Sequence, residues 1–148
     1  MREIMYALQF SGQAEPVGAV GNVLKATTSA PSSTLSSTVG TDGLTGTLAP
    51  ASGDAATFES EVTFTGETSF LETGTIGFGD GNQLRFSTVG SGYLAPSADP
   101  DRKQGTVMWR IEEGTGQFAG ASGLITSNFF VDAGLGVVDH HFGVLLLP

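Results

Sequence analysis

Hydrophobic and polar residues alternate along several stretches of this chain, as they do in β-strands with one buried face. Within Glu3–Ser11 the even-numbered side chains are all apolar or aromatic, and within Thr57–Thr65 the apolar side chains alternate with Glu59 and Glu61. The parity places these two glutamates on the outer face of their strand. No segment keeps a helical period, so the pattern predicts an all-β protein.

The same pattern predicts further strands, separated by turn-forming residues. Asp80-Gly81 indicates a two-residue hairpin, because both central positions of such a turn favour positive φ. Gly90–Lys103 is polar and is expected to form an exposed loop. The other predicted strands are centred on Val23-Leu24 or span Leu35–Val39, Leu44–Leu48, Thr68–Phe78, Gln83–Val89, Thr106–Glu112, Leu124–Val131 and Val137–Leu147.

Short strands without long helices are typical of β-barrels and β-sandwiches. Closure into a barrel removes the strand edges that these apolar segments would otherwise expose. The predicted fold is therefore a single closed antiparallel β-barrel of about eight strands. One domain covers residues 1–148, a length that suffices for a hydrophobic core.

Four glycines interrupt the segment Thr106–Val131 between two apolar runs. The spacing of Gly114, Gly116 and Gly120 imitates a dinucleotide-binding turn, but that site requires a helix immediately afterwards and none is predicted here. A tight reversal between two strands is the preferred interpretation. Phe118 is then expected to fold its ring back over the core.

The run GTGQFAGASGLI, from Gly114 to Ile125, contains the motif G-x-G-x-F-x-G-x-x-G. With the strands that follow, it resembles the C-terminal half of the allene oxide cyclase-like barrels, a group that includes dirigent-type proteins and small bacterial barrels. The resemblance covers the last third of the chain and implies a calycin-like eight-stranded barrel with an apolar cavity, often dimeric or trimeric. Some members isomerise or cyclise hydrophobic substrates, whereas others hold a ligand in one orientation. No catalytic residue of the group can be placed on a matching motif in this chain.

Composition narrows the classes of partner. The formal net charge is −9 with only 6 Lys and Arg residues, so nucleic acid and anionic membrane surfaces are not expected partners. The sequence has no cysteine, which excludes disulfides and thiolate chemistry. The N-terminal segment lacks the features of a signal peptide and no stretch is apolar enough to span a membrane, so a cytoplasmic location is expected.

Asp139-His140-His141 is the most suggestive cluster for chemistry. Adjacent strand residues point to opposite faces, so the two histidines cannot converge on one metal ion, and no metal site or cofactor is predicted. His140 shares its parity with Phe142 and other apolar residues, which predicts that it faces the barrel interior and His141 the solvent. His140 is then either a proton-transfer group or a core histidine bonded to a backbone carbonyl.

Polar side chains on otherwise apolar faces are the remaining candidates. Tyr6 is grouped with His140 as a candidate catalytic residue. Arg110 and Glu112 share a parity opposite to Trp109, and an outward position in solvent is preferred for them over an inward polar site. The candidate ligand-binding residues are Phe10, Phe58, Phe64, Trp109, Asn128 and Phe142.

Two functions are compatible with this sequence. The first is a barrel that encloses a small apolar or amphipathic molecule and, if it is an enzyme, isomerises or cyclises a flexible hydrophobic substrate by holding a reactive conformer. The alternative is a non-catalytic barrel, either a lipocalin-like binder or an oligomeric structural domain. A cavity open to solvent favours the first, and an interior filled by phenylalanines the second.

Several predicted strands carry apolar residues on both faces, for example Val107 with Met108 and Phe129 with Phe130. Apolar side chains on the outside of a barrel are readily explained by a subunit interface. A homodimer or homotrimer is therefore expected.

Overall fold

The computed structural model describes every residue from Met1 to Pro148 and confirms the all-β prediction. It contains eleven strands and one 3₁₀ turn, η1 (Gly116–Phe118). The strands are β1 (Arg2–Pro16), β2 (Val23–Ala30), β3 (Ser33–Gly40), β4 (Gly43–Pro50), β5 (Ala56–Phe64), β6 (Ser69–Gly77), β7 (Gln83–Thr88), β8 (Gly92–Pro96), β9 (Arg102–Gly114), β10 (Ser122–Asp132) and β11 (Gly136–Leu147).

The main sheet closes into an eight-stranded antiparallel barrel. Its order is β10-β11-β1-β2-β5-β6-β7-β9, and pairing of β9 with β10 completes the circle. Strand β7 pairs with the C-terminal half of β9, whereas β8 pairs with its N-terminal half. The two short strands together therefore fill one position in the barrel wall.

Strands β3 and β4 form a separate two-stranded sheet outside the barrel wall. This hairpin is inserted between β2 and β5, which are themselves hydrogen-bonded neighbours. Leu35 pairs with Leu48 and Val39 pairs with Leu44, so the four apolar side chains occupy one face of the hairpin.

The predicted turns form as expected, with one exception. Asp80 and Gly81 have φ values of 46° and 77°, and the Asn82 N–H donates to the Gly79 carbonyl at 2.9 Å to close the turn. Phe118 lies in η1 and is buried against Phe78, with ring centroids 5.2 Å apart. The prediction of a loop over Gly90–Lys103 is wrong in part, because β8 and the start of β9 pair within it.

Aromatic rings fill the middle of the barrel. Trp109 is fully buried and packs against Phe86 at a centroid distance of 4.4 Å and against Phe58 at 5.6 Å. Phe10 packs on the His141 ring at 4.2 Å. These rings form a packed aromatic layer that closes the barrel from within.

The faces of β11 are the reverse of the prediction. His141 is 2% exposed and faces the interior, whereas His140 is exposed on the outer wall. Two features explain this register. Gly143 opposes Tyr6, whose ring occupies the space where a Gly143 side chain would lie, and the polar groups of Asp139 and His141 bond to each other inside. The face with fewer apolar side chains is therefore the inner one.

The structure contains no helix that is long and apolar enough to cross a membrane.

Candidate functional site

A cavity of about 300 Å³ occupies one end of the barrel and is called the interior cavity below. Twelve of its 17 lining residues are hydrophobic, including Leu24, Phe58 and Phe70. Exposed residues Gly21 and Lys103 also line it and mark its opening to solvent. The volume lies at the small end of the range for small-molecule sites.

Glu72 brings a carboxyl group to this apolar space. Residues two apart on a strand point to the same face, so Glu72 lies with Phe70 on the inner face of β6 and is only 7% exposed. Its Oε2 accepts a hydrogen bond of 2.6 Å from the Ser60 hydroxyl. Burial raises the pKa of Glu72 to about 8, the Ser60 hydrogen bond opposes that rise, and the charge of Asp139 adds to it. At neutral pH the carboxyl therefore carries a proton in most molecules.

Asp139 is the second carboxyl group that lines the interior cavity. Its two oxygens are separately bonded: Oδ1 accepts from the Ser127 hydroxyl at 2.6 Å, and Oδ2 lies 2.9 Å from His141 Nε2. The other imidazole nitrogen, Nδ1, has no partner. Because the serine bonds to the aspartate and not to the imidazole, the three residues do not form a hydrolytic triad.

Three further polar atoms in the interior lack a hydrogen-bond partner: Thr28 Oγ1, Trp109 Nε1 and the Tyr6 hydroxyl. Thr28 also lines the interior cavity. The Trp109 indole makes no hydrogen bond of regular geometry, although it lies near enough to Glu72 to lower the pKa of that carboxyl slightly against the effect of burial. Burial, followed by the charge of Asp139, raises the pKa of Tyr6 above its ordinary value. Unpaired polar groups in a dry interior are costly, so a ligand that pairs with one of them gains affinity.

Only two of the sequence-predicted ligand-binding residues, Phe58 and Phe64, line the interior cavity. Phe10 and Trp109 face inward as predicted but belong to the packed aromatic layer. Tyr6 also faces inward, where its ring packs edge-on against Phe78 at 5.5 Å. These inward residues agree with the parity argument for β1, β5 and β9.

His140, Asn128 and Phe142 do not face the interior, and the predictions that placed them there are wrong. Asn128 and His140 are exposed and Phe142 is 50% exposed. A hydrogen bond of 3.2 Å joins His140 Nδ1 to the Asn128 carbonyl across neighbouring strands. All three line a groove on the outer wall that also includes Leu35 and Leu48 of the β3–β4 hairpin.

Arg110 and Glu112 lie outside, as preferred from their parity. Their side chains form an ion pair of 2.7 Å on the solvent face of β9. Hydrogen bonds from Ser87 and Arg110 lower the pKa of Glu112. The pair is exposed and makes no contribution to the interior.

Glu72 and Thr28 were not predicted as site residues from the sequence, and Asp139 was assigned with His141 to the outer face of β11, whereas both are buried. A signal for Glu72 was present, since Phe70, Glu72, Gly74 and Ile76 share one parity and a charged residue on such a face is unusual. Thr28 has no comparable signal, because it lies within Ala26–Ala30, where every residue is small and neither face is distinguished by large apolar side chains.

The structure brings together no group of three or more His, Asp or Glu side chains that could hold a metal ion. The interior cavity instead combines apolar walls with a small number of polar groups. Such a site can desolvate a small molecule and orient it by one polar group. A raised-pKa acid beside a hydrogen-bonded carboxylate can also exchange protons with a bound molecule.

Comparison with known proteins identifies no relative: no protein-family model, no curated protein and no solved structure matches the chain.

Proposed function

We propose that this protein binds a small, largely apolar molecule inside its barrel, with the molecule's polar group directed to Glu72. The observation that supports this most directly is the interior cavity, whose walls are apolar and whose buried polar groups are few. Transfer of a hydrocarbon group from water to such walls contributes about 0.8 kcal/mol per CH₂ group. The closed barrel holds the walls in place, so little ordering is needed on binding.

The first prediction tests occupancy of the interior cavity. Ala26 is buried and lines it, so Ala26→Phe is expected to fill the space that a ligand needs. The neutral fluorophore N-phenyl-1-naphthylamine, whose emission rises in apolar surroundings, is expected to bind the wild-type protein and to lose at least tenfold in affinity with the variant. A fluorescence titration measures both.

Thr27→Phe provides the matched control, since Thr27 is the neighbouring residue on β2 and is exposed on the outer wall. This variant adds the same ring outside the barrel and is expected to bind the fluorophore as the wild type does. Equal affinities of all three proteins would show that the fluorophore binds elsewhere and would contradict the proposal. Native mass spectrometry of the protein as purified provides an independent search for a retained ligand.

An isomerase is the second candidate function, and the carboxyl pair favours it. Asp139 can remove a proton from a carbon next to a ligand carbonyl, while Glu72 donates its proton to the carbonyl oxygen that becomes negative. The resulting enol returns to the ketone when Asp139 delivers a proton to carbon, at the original or at a conjugated position, and Glu72 recovers its own. Confinement of the substrate in one conformer assists the same step.

The second prediction concerns this proton transfer. If the interior catalyses enolisation, the protein in D₂O exchanges the α-hydrogens of octan-2-one for deuterium faster than buffer does, and Asp139→Asn removes the acceleration. Proton nuclear magnetic resonance follows the exchange. If exchange proceeds at the buffer rate while the fluorophore still binds, enolisation of this ketone is excluded and only the binding function remains.

We further propose that the chain forms homo-oligomers and that its barrel is related to the allene oxide cyclase-like group. The kinship is supported by the glycine-rich turn, in which Phe118 covers the core as the motif suggests. Oligomerisation is supported by apolar residues on the outer wall, including Met5 and Leu124.

A further inference from the structure

We infer that the interior cavity selects an amphipathic organic cation, an amine whose ammonium group contacts Glu72 and whose hydrocarbon body contacts the apolar walls. This inference rests on the proposed binding function and specifies the chemistry of its ligand.

The charges around the interior cavity are unbalanced. Its lining includes two carboxyl groups, Glu72 and Asp139, and one cationic side chain, Lys103. Lys103 is exposed and takes part in no ion pair, so neither carboxyl has a cationic lysine or arginine partner. Buried carboxylates in proteins are generally paired with a cation or with several hydrogen-bond donors. A ligand cation supplies the partner that the chain lacks.

Glu72 is the less satisfied of the two carboxyl groups. Asp139 has a hydrogen-bond partner on each oxygen, whereas Glu72 has one partner, the Ser60 hydroxyl, on Oε2 alone. The Trp109 indole lies near this carboxyl without a hydrogen bond of regular geometry, so Glu72 Oε1 is the acceptor left for a ligand. A hydrogen bond from an ammonium group to this oxygen is charge-assisted and stronger than a neutral one.

Thr28 provides an independent second contact. Thr28 is 6% exposed and lines the same cavity from β2, and its buried hydroxyl has no hydrogen-bond partner. An ammonium group carries three donors and no acceptor, so after bonding to Glu72 it retains donors for a second acceptor such as the Thr28 oxygen. An alcohol has a single donor and can satisfy only one of these acceptors at a time.

Other ligand classes fit the same space less well. A carboxylate ligand would place its charge at Lys103 near the opening, but the net charge of −9 repels anions over long range and attracts cations. A neutral alcohol or ketone could accept a hydrogen bond from protonated Glu72, yet it leaves the excess of carboxyl groups unchanged. A cation is attracted both by the carboxyl groups of the cavity and by the negative net charge of the whole chain.

Amine binding is expected to displace the proton of Glu72. Burial raises the pKa of Glu72 to about 8, while an alkylammonium group stays protonated well above that pH. As the pH increases to about 8, the affinity for the amine is therefore expected to increase by up to tenfold per pH unit. Above that pH the affinity levels off, because Glu72 is already ionised. The other titratable groups facing this region are Asp139 and His141 on β11, Tyr6 on β1 and Lys103 on β9.

The third prediction compares three ligands with the same hydrocarbon chain: octylamine, octan-1-ol and sodium octanoate. Each competes with N-phenyl-1-naphthylamine at pH 6, 7 and 8 in a fluorescence displacement titration. Octylamine is expected to bind at least tenfold more tightly than the other two at pH 8, and its advantage is expected to shrink as the pH falls. The inference would be overturned if either octan-1-ol or octanoate bound at least as tightly as octylamine at pH 8.

Glu72→Gln removes the charge while keeping the size of the side chain. It is expected to weaken octylamine binding at pH 8 by about tenfold to a hundredfold, the cost of losing a hydrogen bond to a charged group, and to change octan-1-ol binding less than threefold. Glu61→Gln on the outer face of β5 is the matched control and should bind as wild type. Thr28→Val is expected to weaken octylamine binding with Glu72 intact.

The two proposals fail in different ways. If the fluorophore binds inside the barrel but octylamine shows no preference and no dependence on Glu72, cavity binding stands and the cation is excluded. If the fluorophore is insensitive to Ala26→Phe, the cavity is not a binding site and both proposals fall. A melting curve for each variant establishes that it is folded under the conditions of the titration.

Discussion

At the scale of single residues, the carboxyl group of Glu72 makes the interior sensitive to pH. Its carboxyl is enclosed by the barrel and receives one hydroxyl hydrogen bond. Ionisation in such surroundings is unfavourable because burial penalises the charged form and Asp139 adds a repelling charge. The fold therefore binds the Glu72 proton more tightly than the unfolded chain does.

The fourth prediction is a pH dependence of stability that Glu72→Gln reduces. The pKa of Glu72 is about 8 in the folded protein against 4.5 for the ordinary group. Between these values the folded state holds a proton that the unfolded chain has lost, so the free energy of unfolding falls as the pH rises. This group contributes a slope of up to about 1.4 kcal/mol per pH unit, which disappears above pH 8.

Urea unfolding at half-unit pH steps from 5 to 9 measures this slope. Wild type and Glu61→Gln, which alters an exposed carboxyl, should lose stability in parallel over the interval. Glu72→Gln should lose distinctly less, because its amide has no proton to release. A Glu72→Gln curve parallel to the wild-type curve would mean that Glu72 has an ordinary pKa in the folded protein.

At the scale of strands, alternation predicted where the strands lie better than which face is buried. In β5 the inner side chains include two phenylalanines and the outer ones include two glutamates, so the parity identified the buried face. In β11 both faces are largely apolar, and the inner face carries Asp139, His141 and Gly143. Hydrophobicity alone cannot decide such a strand, because its register is set by partners on other strands.

Those partners are distant in sequence. Gly143 faces inward because the Tyr6 ring of β1 covers it, and Asp139 is acceptable inside because Ser127 of β10 donates to it. Neither contact can be read from β11 itself. The cavity residues share this property, since Glu72 becomes a site residue only when β2 and β11 bring Thr28 and Asp139 to the same space.

Local signals were sufficient where the chain turns. Asp80-Gly81 and the glycine-rich reversal around Phe118 formed as predicted, because positive φ at defined positions is a property of a few neighbouring residues. Strand β8 was missed because it is short and contains Gly92 and Pro96, both unfavourable in strands. Strand β8 forms in spite of that low propensity because it pairs with β9 and β6.

At the scale of the whole molecule, the β3–β4 hairpin is the feature that the barrel does not explain. Its base lies against the outer wall, where Leu35 and Leu48 line a groove with Phe142. Its tip is free: Val39 is 82% exposed and Leu44 is 73% exposed. An isolated two-stranded hairpin is only marginally stable in water. Its exposed apolar tip would be stabilised by contact with another apolar surface.

The outer wall of the barrel offers such a surface. Val144 pairs with Met5 on one side and with Leu124 on the other, which forms an apolar row across β1, β11 and β10. Met5 is 64% exposed and Leu124 is 47% exposed. The hairpin tip of one copy and this row on another are complementary in character, so they suit an interface between identical chains.

The last prediction is that the hairpin tip holds a homo-oligomer together. Val39→Ser with Leu44→Ser replaces the paired apolar side chains of the tip, and Thr38→Ser with Thr45→Ser alters the neighbouring pair on the polar face. Size-exclusion chromatography with light scattering should give a dimer or trimer for the wild type and for the threonine variant, and a monomer for the Val39/Leu44 variant. Because the tip lies outside the barrel, ligand affinity of that monomer should stay within threefold of wild type. A wild-type protein of monomer mass across the micromolar range would exclude the oligomer and leave the hairpin free for another partner.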